Sequence, residues 1–274
     1  MSKLTSLQEA VKSIPDNAVV ALGGNTLHRA PCAAVHELIR QRKRGLELVK
    51  TAGSYDVDVL CGAGVARAVS TGYVGYENVL GLAPLYRRTV EQGEVEAREH
   101  TCYSVIAGLR AAAQGVPFMP MGGLTGSQLA SARQFKQVAD PYTGTPVYVI
   151  PAIQPEVALI HVQEADEQGN ARIWGSLFED VLMAHAAQRV ILTAERIVDG
   201  ASFAEHPERT SIPGFLVSVV VEAPRGAWPL SCHGFYSYDQ AYLAAFVQAA
   251  ADPATLERFL EERLGLARLA AGRA

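Results

Sequence analysis

A chain of 274 residues with 49% hydrophobic side chains is long enough to bury its own core without disulfide or metal staples. Its 19% charged residues and formal net charge of -4 give no electrostatic case for binding nucleic acid or an anionic membrane. The cysteines, Cys32, Cys61, Cys102 and Cys232, are scattered with no C-x-x-C pair, so neither a zinc site nor a disulfide framework is indicated, and the usage fits a reducing cytoplasm.

In chain order, Leu4, Leu7, Ala10, Val11 and Ile14 fall near helical spacing and predict an opening amphipathic helix. The opening residues hold no apolar run of signal-peptide type. Asp16-Asn17 breaks the helix, Ala18 to Leu22 reads as a buried strand, and Gly23-Gly24-Asn25 forms a loop. Pro31 suits the first turn of a helix running to about Arg42, where Arg40, Arg42, Lys43 and Arg44 complement the helix dipole. Leu46 to Thr51, Val57 to Cys61 and Val79 to Leu82 read as further buried strands. Gly62-Ala63-Gly64 then reads as a tight strand-to-helix turn; a dinucleotide fingerprint would need glycine where Arg67 stands. Cys102 to Gln114 is helical, and Met121 to Gly144 is a long stretch without apolar period, of the kind that often carries function. Val147 to Ile150, Val157 to Val162, Val190 to Thr193 and Leu216 to Val221 continue the strands. A last helix starts with Asp252 as N-cap and Pro253 as first residue and runs to about Ala271. The longest apolar stretches, such as Phe215 to Val221, are strand-sized, far short of the roughly 20 residues that span a bilayer. Runs apolar on both faces, separated by helices, predict one α/β domain over residues 1–274 with a mostly parallel central sheet flanked by helices.

Several chemistries are excluded by motif. There is no G-x-S-x-G nucleophile elbow and no G-x-x-x-x-G-K-[ST] phosphate loop. The seven histidines form no H-x-x-x-H pair, so each reads as a core or surface histidine rather than a metal ligand. What remains is a strand ending in Gly23, Gly24 and Asn25, with His28, Arg29 and Pro31 beyond it. Ligands of open parallel sheets sit beyond the carboxyl ends of strands, and glycines there let backbone N–H groups approach a carbonyl or phosphate. An ordinary strand-loop-helix connection fits the same residues equally well. A second constellation is Glu99-His100, an alanine-rich helix, Gly115-Val116-Pro117-Phe118-Met119-Pro120, and Gly122-Gly123-Leu124-Thr125-Gly126-Ser127. Glu99 lies just before a helix N-terminus, where a carboxylate is stabilised, so it reads either as a helix-capping or ion-paired glutamate or as a catalytic or substrate-positioning carboxylate.

These two constellations, in this order, resemble the alpha-type subunits of family I coenzyme A transferases of the glutaconate type. Asn25 replaces the usual phenylalanine and Pro31 lies one residue late, which implies an altered pocket. Gln163 to Asn170, Ile212 to Ala227 and Tyr236 to Asp239 are similar to later segments of the family, so the likeness runs from about residue 4 to 245. The resemblance implies a CoA-transferase-like fold and a heteromeric enzyme, expected as a two-plus-two tetramer with a beta-type subunit, acting on an acyl-CoA and a carboxylic acid. It implies no bound metal or organic cofactor; coenzyme A enters as a substrate carrier. In that family a glutamate of the beta-type half attacks the thioester, giving an anhydride and then a glutamyl-CoA thioester. Its Ser-Glu-Asn-Gly signature is absent here; Tyr76-Glu77-Asn78-Val79 comes nearest and is treated as a chance partial match. Gly23, Gly24 and Asn25 would line the cleft, and Gly122, Gly123, Ser127 and Gln128 would hold the substrate's acid group. Related ring-opening hydrolases of steroid catabolism imply instead that Glu99 is catalytic. A non-catalytic module binding CoA or a sugar phosphate is a further alternative; it would carry a basic helix-turn-helix, which the opening residues do not show.

Overall fold

The computed structural model of the chain describes residues 2–265. Helix α1 (Leu7–Lys12), capped by the Ser6 side chain, leads into strand β1 (Val19–Leu22) and helix α2 (Cys32–Arg40). Strand β2 (Leu46–Gly53) is buried along its whole length. It is followed by helix α3 (Tyr55–Gly62), strand β3 (Ala66–Val74), and helices α4 (Glu77–Leu80) and α5 (Pro84–Glu91). Strand β4 (Glu96–Glu99) precedes helix α6 (Cys102–Ala113). Then come β5 (Phe118–Met121), α7 (Gln128–Ala132), β6 (Lys136–Ala139), β7 (Pro146–Pro151), β8 (Val157–Ala165) and β9 (Ala171–Arg172). Helix α8 (Asp180–Ala186), β10 (Arg189–Ile197), α9 (Gly200–Glu205) and β11 (Val219–Glu222) follow, and α10 (Gln240–Ala249) and α11 (Pro253–Leu264) close the described chain.

The main sheet has the order β11-β10-β8-β1-β2-β3-β4, every neighbouring pair parallel, with β9 added antiparallel to β8. One face packs α2, α3, α10 and α11 through residues such as Leu38, Leu60, Phe246 and Leu260. The other packs α6 and α8 through Val105, Leu109 and Met183. Burial of both faces is why β2 and β8 show no apolar–polar alternation, and the polar residues they carry, such as Lys50 and His161, are themselves buried. A second sheet, β5-β7-β6, is antiparallel and lies on α6, with Ala107, Met121, Leu124, Ala130 and Ile150 between them. It takes up the stretch 121–144, which the sequence presents as loop.

Three sequence expectations fail. Val57 to Cys61 lies in helix α3, not in a strand. All but the last residue of that helix are buried, so it has no polar face and its sequence lacks a helical stripe. Its two aspartates find partners inside: Asp56 meets Lys50 at 2.6 Å, and Asp58 accepts from the Leu85 and Tyr86 N–H groups at the start of α5. Consequently Gly62 to Gly64 turns helix into strand, the reverse of the expected order. Val79 to Leu82 is not a strand either, because Val79 and Leu80 belong to the short helix α4. The true third strand, β3, carries Arg67, Ser70, Thr71 and Gly72, which interrupt any apolar run. Gly72 is needed there: a Cβ would come 2.3 Å from the Cys102 amide nitrogen, so its absence lets the start of α6 lie on β3. Helix α11 is capped by left-handed Gly265, and the expected continuation to about Ala271 lies outside the described residues.

Candidate active site at the carboxyl edge of the sheet

The loop after β1 is held by a buried polar frame. Gly23 is forced by crowding, since a Cβ would lie 3.0 Å from Asp180 Oδ1 and 3.2 Å from Ile160 Cα. Gly24 has φ +70, and a Cβ there would meet the His28 carbonyl at 2.4 Å. The amides of this loop are all engaged within the chain. Gly23 N–H donates to the Leu159 carbonyl at 2.8 Å, Gly24 N–H to Asp180 Oδ1 at 2.7 Å, and Asn25 N–H to the His28 carbonyl at 2.9 Å. The expectation that these glycines offer N–H groups to a ligand is therefore corrected: the glycines serve close packing. Asp180, fully buried at the start of α8, also pairs with Arg29. Arg29 in turn donates to the carbonyls of His161 (2.8 Å) and Ser176 (3.0 Å). On the opposite face Lys50 Nζ donates to the Gly23 carbonyl at 2.7 Å and to Asp56.

Side chains, not backbone, face the space beyond the strands. Asn25 Nδ2 reaches Thr51 Oγ1 at 3.4 Å, and Thr51 donates to Glu179 Oε2 at 2.7 Å. Cys102, exposed at the first residue of α6, contacts the Thr51 carbonyl at 3.4 Å; partial burial and the Glu179 charge raise its thiol pKa. Thr26 donates to Glu77 Oε1 at 2.5 Å. Both of those residues have left-handed backbone, φ 39 and 55, which non-glycine residues adopt at some cost. Asn25, Thr51, Glu179, Thr26, Glu77 and Cys102 thus meet at the carboxyl edge, where parallel sheets bind ligands.

Glu99 is the exposed last residue of edge strand β4, in register with Thr71. Its charge, after burial and Cys61, helps push the Tyr86 hydroxyl up to about 12. Three strand spacings separate β4 from β1, roughly 14 Å, so Glu99 shares the edge with Gly23, Gly24 and Asn25 but does not contact them. Gly122, Gly123, Ser127 and Gln128 lie together, exposed, between β5 and α7. Ser127 Oγ accepts from Leu129 N–H at 3.2 Å as the α7 cap, which leaves its proton free to donate. Around Gly122, Gly123 and Gly126 a Cβ would meet nothing within 4 Å. His100, next to Glu99, ties this unit to the main sheet through Arg133 (3.4 Å) and Phe135.

A third cluster has no signal in the sequence, because its members come from β8, β10 and the segment after β11. Glu195 accepts from His161 Nε2 at 2.9 Å, from the Arg225 N–H at 2.7 Å and from the Tyr236 hydroxyl. Burial pushes the Glu195 carboxyl up, but the hydrogen bonds from His161 and Tyr236 outweigh it and hold the group below its usual range. Burial lowers the His161 pKa, so the pair is neutral imidazole and carboxylate. Burial and Glu195 push Cys232 up to about 12. The ligand atoms of His161, Glu195 and Cys232 lie within 4.8 Å of one another, close enough for one metal ion. Each already has a hydrogen-bond partner: His161 Nδ1 meets Thr193, and Cys232 meets Glu195. Among the described residues no helix is long and apolar enough to cross a membrane.

Comparison with known proteins fits this geometry. The coenzyme A transferase family profile matches residues 4–223. A protein of Archaeoglobus fulgidus is 40% identical over 247 residues, 89% of this chain; the chain spans only 55% of that protein's length. The A-type subunit of glutaconate CoA-transferase from Acidaminococcus fermentans is 32% identical over 96% of this chain and 88% of its own. The crystal structure of that enzyme superimposes with a TM-score of 0.91, covering 95% of this chain and 88% of the other. A variant of the decarboxylase AibA/AibB superimposes at 0.89, with 38% identity, over 97% of this chain and 100% of the other. A profile match across most of the length, joined to 32% identity over nearly the whole chain, decides the lineage: the chain belongs to the coenzyme A transferase family.

Proposed function

We propose that this chain is the A-type subunit of a heteromeric acyl-CoA:carboxylate CoA-transferase, a single domain over residues 1–274 acting in the cytoplasm with a beta-type partner as a two-plus-two tetramer. The observation that carries the reading is how the carboxylates of the edge are held. Glu179 is bound by Thr51, Glu77 by Thr26 and Glu195 by three donors. A nucleophilic carboxylate must reach a thioester carbonyl unencumbered. Glu99 is the exposed carboxylate of this edge, and its place on the outermost strand, away from the β1 loop, suits a positioning role; the reading therefore takes the edge as one wall of a cleft, with the nucleophile supplied across it. The relative at 32% identity over nearly the full length is itself one subunit of a larger enzyme, which supports the same division of labour.

In the reaction, the partner's carboxylate adds to the thioester carbonyl and coenzyme A thiolate leaves, giving a mixed anhydride. The thiolate then attacks the enzyme's side of the anhydride; the first acid departs as carboxylate and a thioester to the enzyme remains. The second acid reverses both steps and takes the coenzyme. Coenzyme A is substrate throughout, and the scheme needs no metal or bound organic cofactor. Ser127 and Gln128 would anchor the acid group through hydroxyl and amide donors, with Gly122 and Gly123 keeping that loop open. Gly23, Gly24 and Asn25 form the floor, of which the Asn25 side chain alone presents donors.

The test is co-expression with the candidate partner and a screen of CoA esters against free acids. The reading expects acyl exchange at constant total thioester and negligible turnover by the purified chain alone. Full-speed turnover without a partner refutes it. Glu99→Ala should slow exchange by about tenfold or less, as for a positioning carboxylate; hydrolytic turnover by the wild-type complex that Glu99→Ala abolishes points instead to hydrolysis by Glu99. A second reading, decarboxylation, is favoured by the greater identity to AibA/AibB, and carbon dioxide release in the same screen identifies it.

A further inference from the structure

Strands β8 and β10 hold one imidazole between them. His161 on β8 stands in register with Thr193 on β10, and Thr193 and Glu195, two residues apart, point to the same face of the sheet. They meet the two ring nitrogens: Thr193 Oγ1 lies 2.9 Å from Nδ1, and Glu195 Oε1 lies 2.9 Å from Nε2. Gly226 packs on the ring so closely that a Cβ there would come 2.6 Å from Cε1. The segment after β11 brings Cys232 to the same point. Its N–H donates to the Tyr236 carbonyl and the Tyr236 N–H to the Cys232 carbonyl, both at 3.0 Å. His161, Thr193, Glu195 and Cys232 are all buried.

Three protons converge on one carboxylate. His161 Nε2, the Tyr236 hydroxyl and the Cys232 thiol all donate to Glu195. A metal ion replaces such protons when the donor atoms match it in kind and spacing. Here a ring nitrogen, a carboxylate oxygen and a sulfur lie within 4.8 Å of one another. Ligand atoms around tetrahedral zinc stand about 3.3–3.8 Å apart. The observed spacings, from 2.9 Å to no more than 4.8 Å, straddle that range, so side-chain adjustments of about 1 Å close the site.

We propose that His161 Nε2, Glu195 Oε1 and Cys232 Sγ bind one zinc ion, which clasps β8, β10 and the segment after β11 together. One carboxylate and one thiolate neutralise the ion, so no net charge is buried. The imidazole moves its proton from Nε2 to Nδ1, where the Thr193 hydroxyl, a donor or an acceptor as required, takes it. Tyr236 keeps its proton and its bond to Glu195, and the Arg225 N–H stays on Oε2 at 2.7 Å. Burial and Glu195 push the thiol up to about 12, so without metal it is protonated, and its proton is the one that leaves to solvent. Solvent completes the four-coordinate shell. It has a route, because a cavity of about 410 Å³ is lined by Ser231 and His233, on either side of Cys232, and by Tyr236. The clasp is independent of the transferase reading.

The full chain, stripped with a chelator, is titrated with cobalt(II) as an absorbing stand-in for zinc. A thiolate-to-cobalt charge-transfer band in the near ultraviolet, displaced by zinc, is expected, with a dissociation constant on the order of 1 µM. Binding should release one proton and tighten about tenfold per unit of pH around neutrality, since the thiol titrates far above that range. Zinc at about a hundred times its dissociation constant should raise Tm by roughly 5–11 °C. Cys232→Ser should lose the band, whereas Cys102→Ser, which removes the exposed cysteine, should keep it. The absence of a band in the wild-type chain would overturn the site. A band that persists in folded Cys232→Ser, a band that disappears with Cys102, or binding without proton release would overturn it too, leaving an adventitious ion only. If Cys232→Ser does not fold, proton release and its pH slope in the wild-type chain decide alone.

Discussion

Replacing Asp180 by alanine removes two contacts at once from the frame under the β1 loop. The Arg29 guanidinium, only 2% exposed, is left as a buried charge without its counter-ion, and the Gly24 N–H loses its acceptor. Breaking a buried pair by deleting one member costs about 3–5 kcal/mol, and an orphaned buried donor about 1–3 kcal/mol. The two contacts share one carboxylate and do not add fully, so a loss of roughly 4–6 kcal/mol is expected. At about 2–4 °C per kcal/mol this is a fall in Tm of roughly 8–24 °C. Urea unfolding followed by circular dichroism should show a lower midpoint at unchanged slope. Asp180→Asn keeps an acceptor for Gly24 and should lose less. Arg29→Met combined with Asp180→Leu should recover much of the loss, because no buried charge remains. A cost below about 1 kcal/mol for Asp180→Ala, the range of solvent-screened surface pairs, would refute the reasoning.

Gly24→Ala must adopt a left-handed backbone and overlap the His28 carbonyl, so it should lose at least about 2 kcal/mol, whereas Gly122→Ala should stay within about 0.5 kcal/mol of wild type; denaturant midpoints separate the two. His36 is buried against the Tyr55 hydroxyl at 2.9 Å, and burial lowers its pKa to about 3 from 6.5. The unfolded chain therefore binds a proton that the folded chain refuses, and stability contributed above pH 6.5 is lost as pH falls toward 3, on the order of 5 kcal/mol in the limit. His36→Gln should flatten that acid limb in Tm measured against pH. Ser127→Ala with Gln128→Ala should raise KM several-fold at nearly unchanged kcat in the reconstituted complex; unchanged kinetics would remove that loop from the site.

Sequence patterns report the structure where one physical cause dominates. Val157 to Val162 and Leu46 to Thr51 are sandwiched between helices, and their lack of apolar–polar alternation reflects it. Pro253 after Asp252 marks a helix start because the missing N–H needs no partner there. The patterns mislead where tertiary contacts override the local signal. The Asp56 to Val59 run alternates aspartate and valine like a half-buried strand, yet both aspartates are satisfied inside a buried helix. At the site, Gly23 and Gly24 are visible in the sequence, but much of their reason is not: Asp180, which crowds Gly23 and accepts from the Gly24 N–H, lies more than 150 residues away. Thr51, Glu179 and Glu195 carry no motif, since each gains its meaning from a neighbour on another element.

The strand order also bears on how the polypeptide is made. β1 sits between β2 and β8, and its register partner Val157 leaves the ribosome about 135 residues after Leu22. At about 5–20 residues per second, one flank of that strand stays bare for roughly 7–27 s. Through that interval the nascent chain exposes an apolar parallel edge of the sort that recruits foreign strands. Slow closure of so distant a pairing makes chaperone supply during translation, rather than final stability, the expected limit on yield when this chain is overproduced.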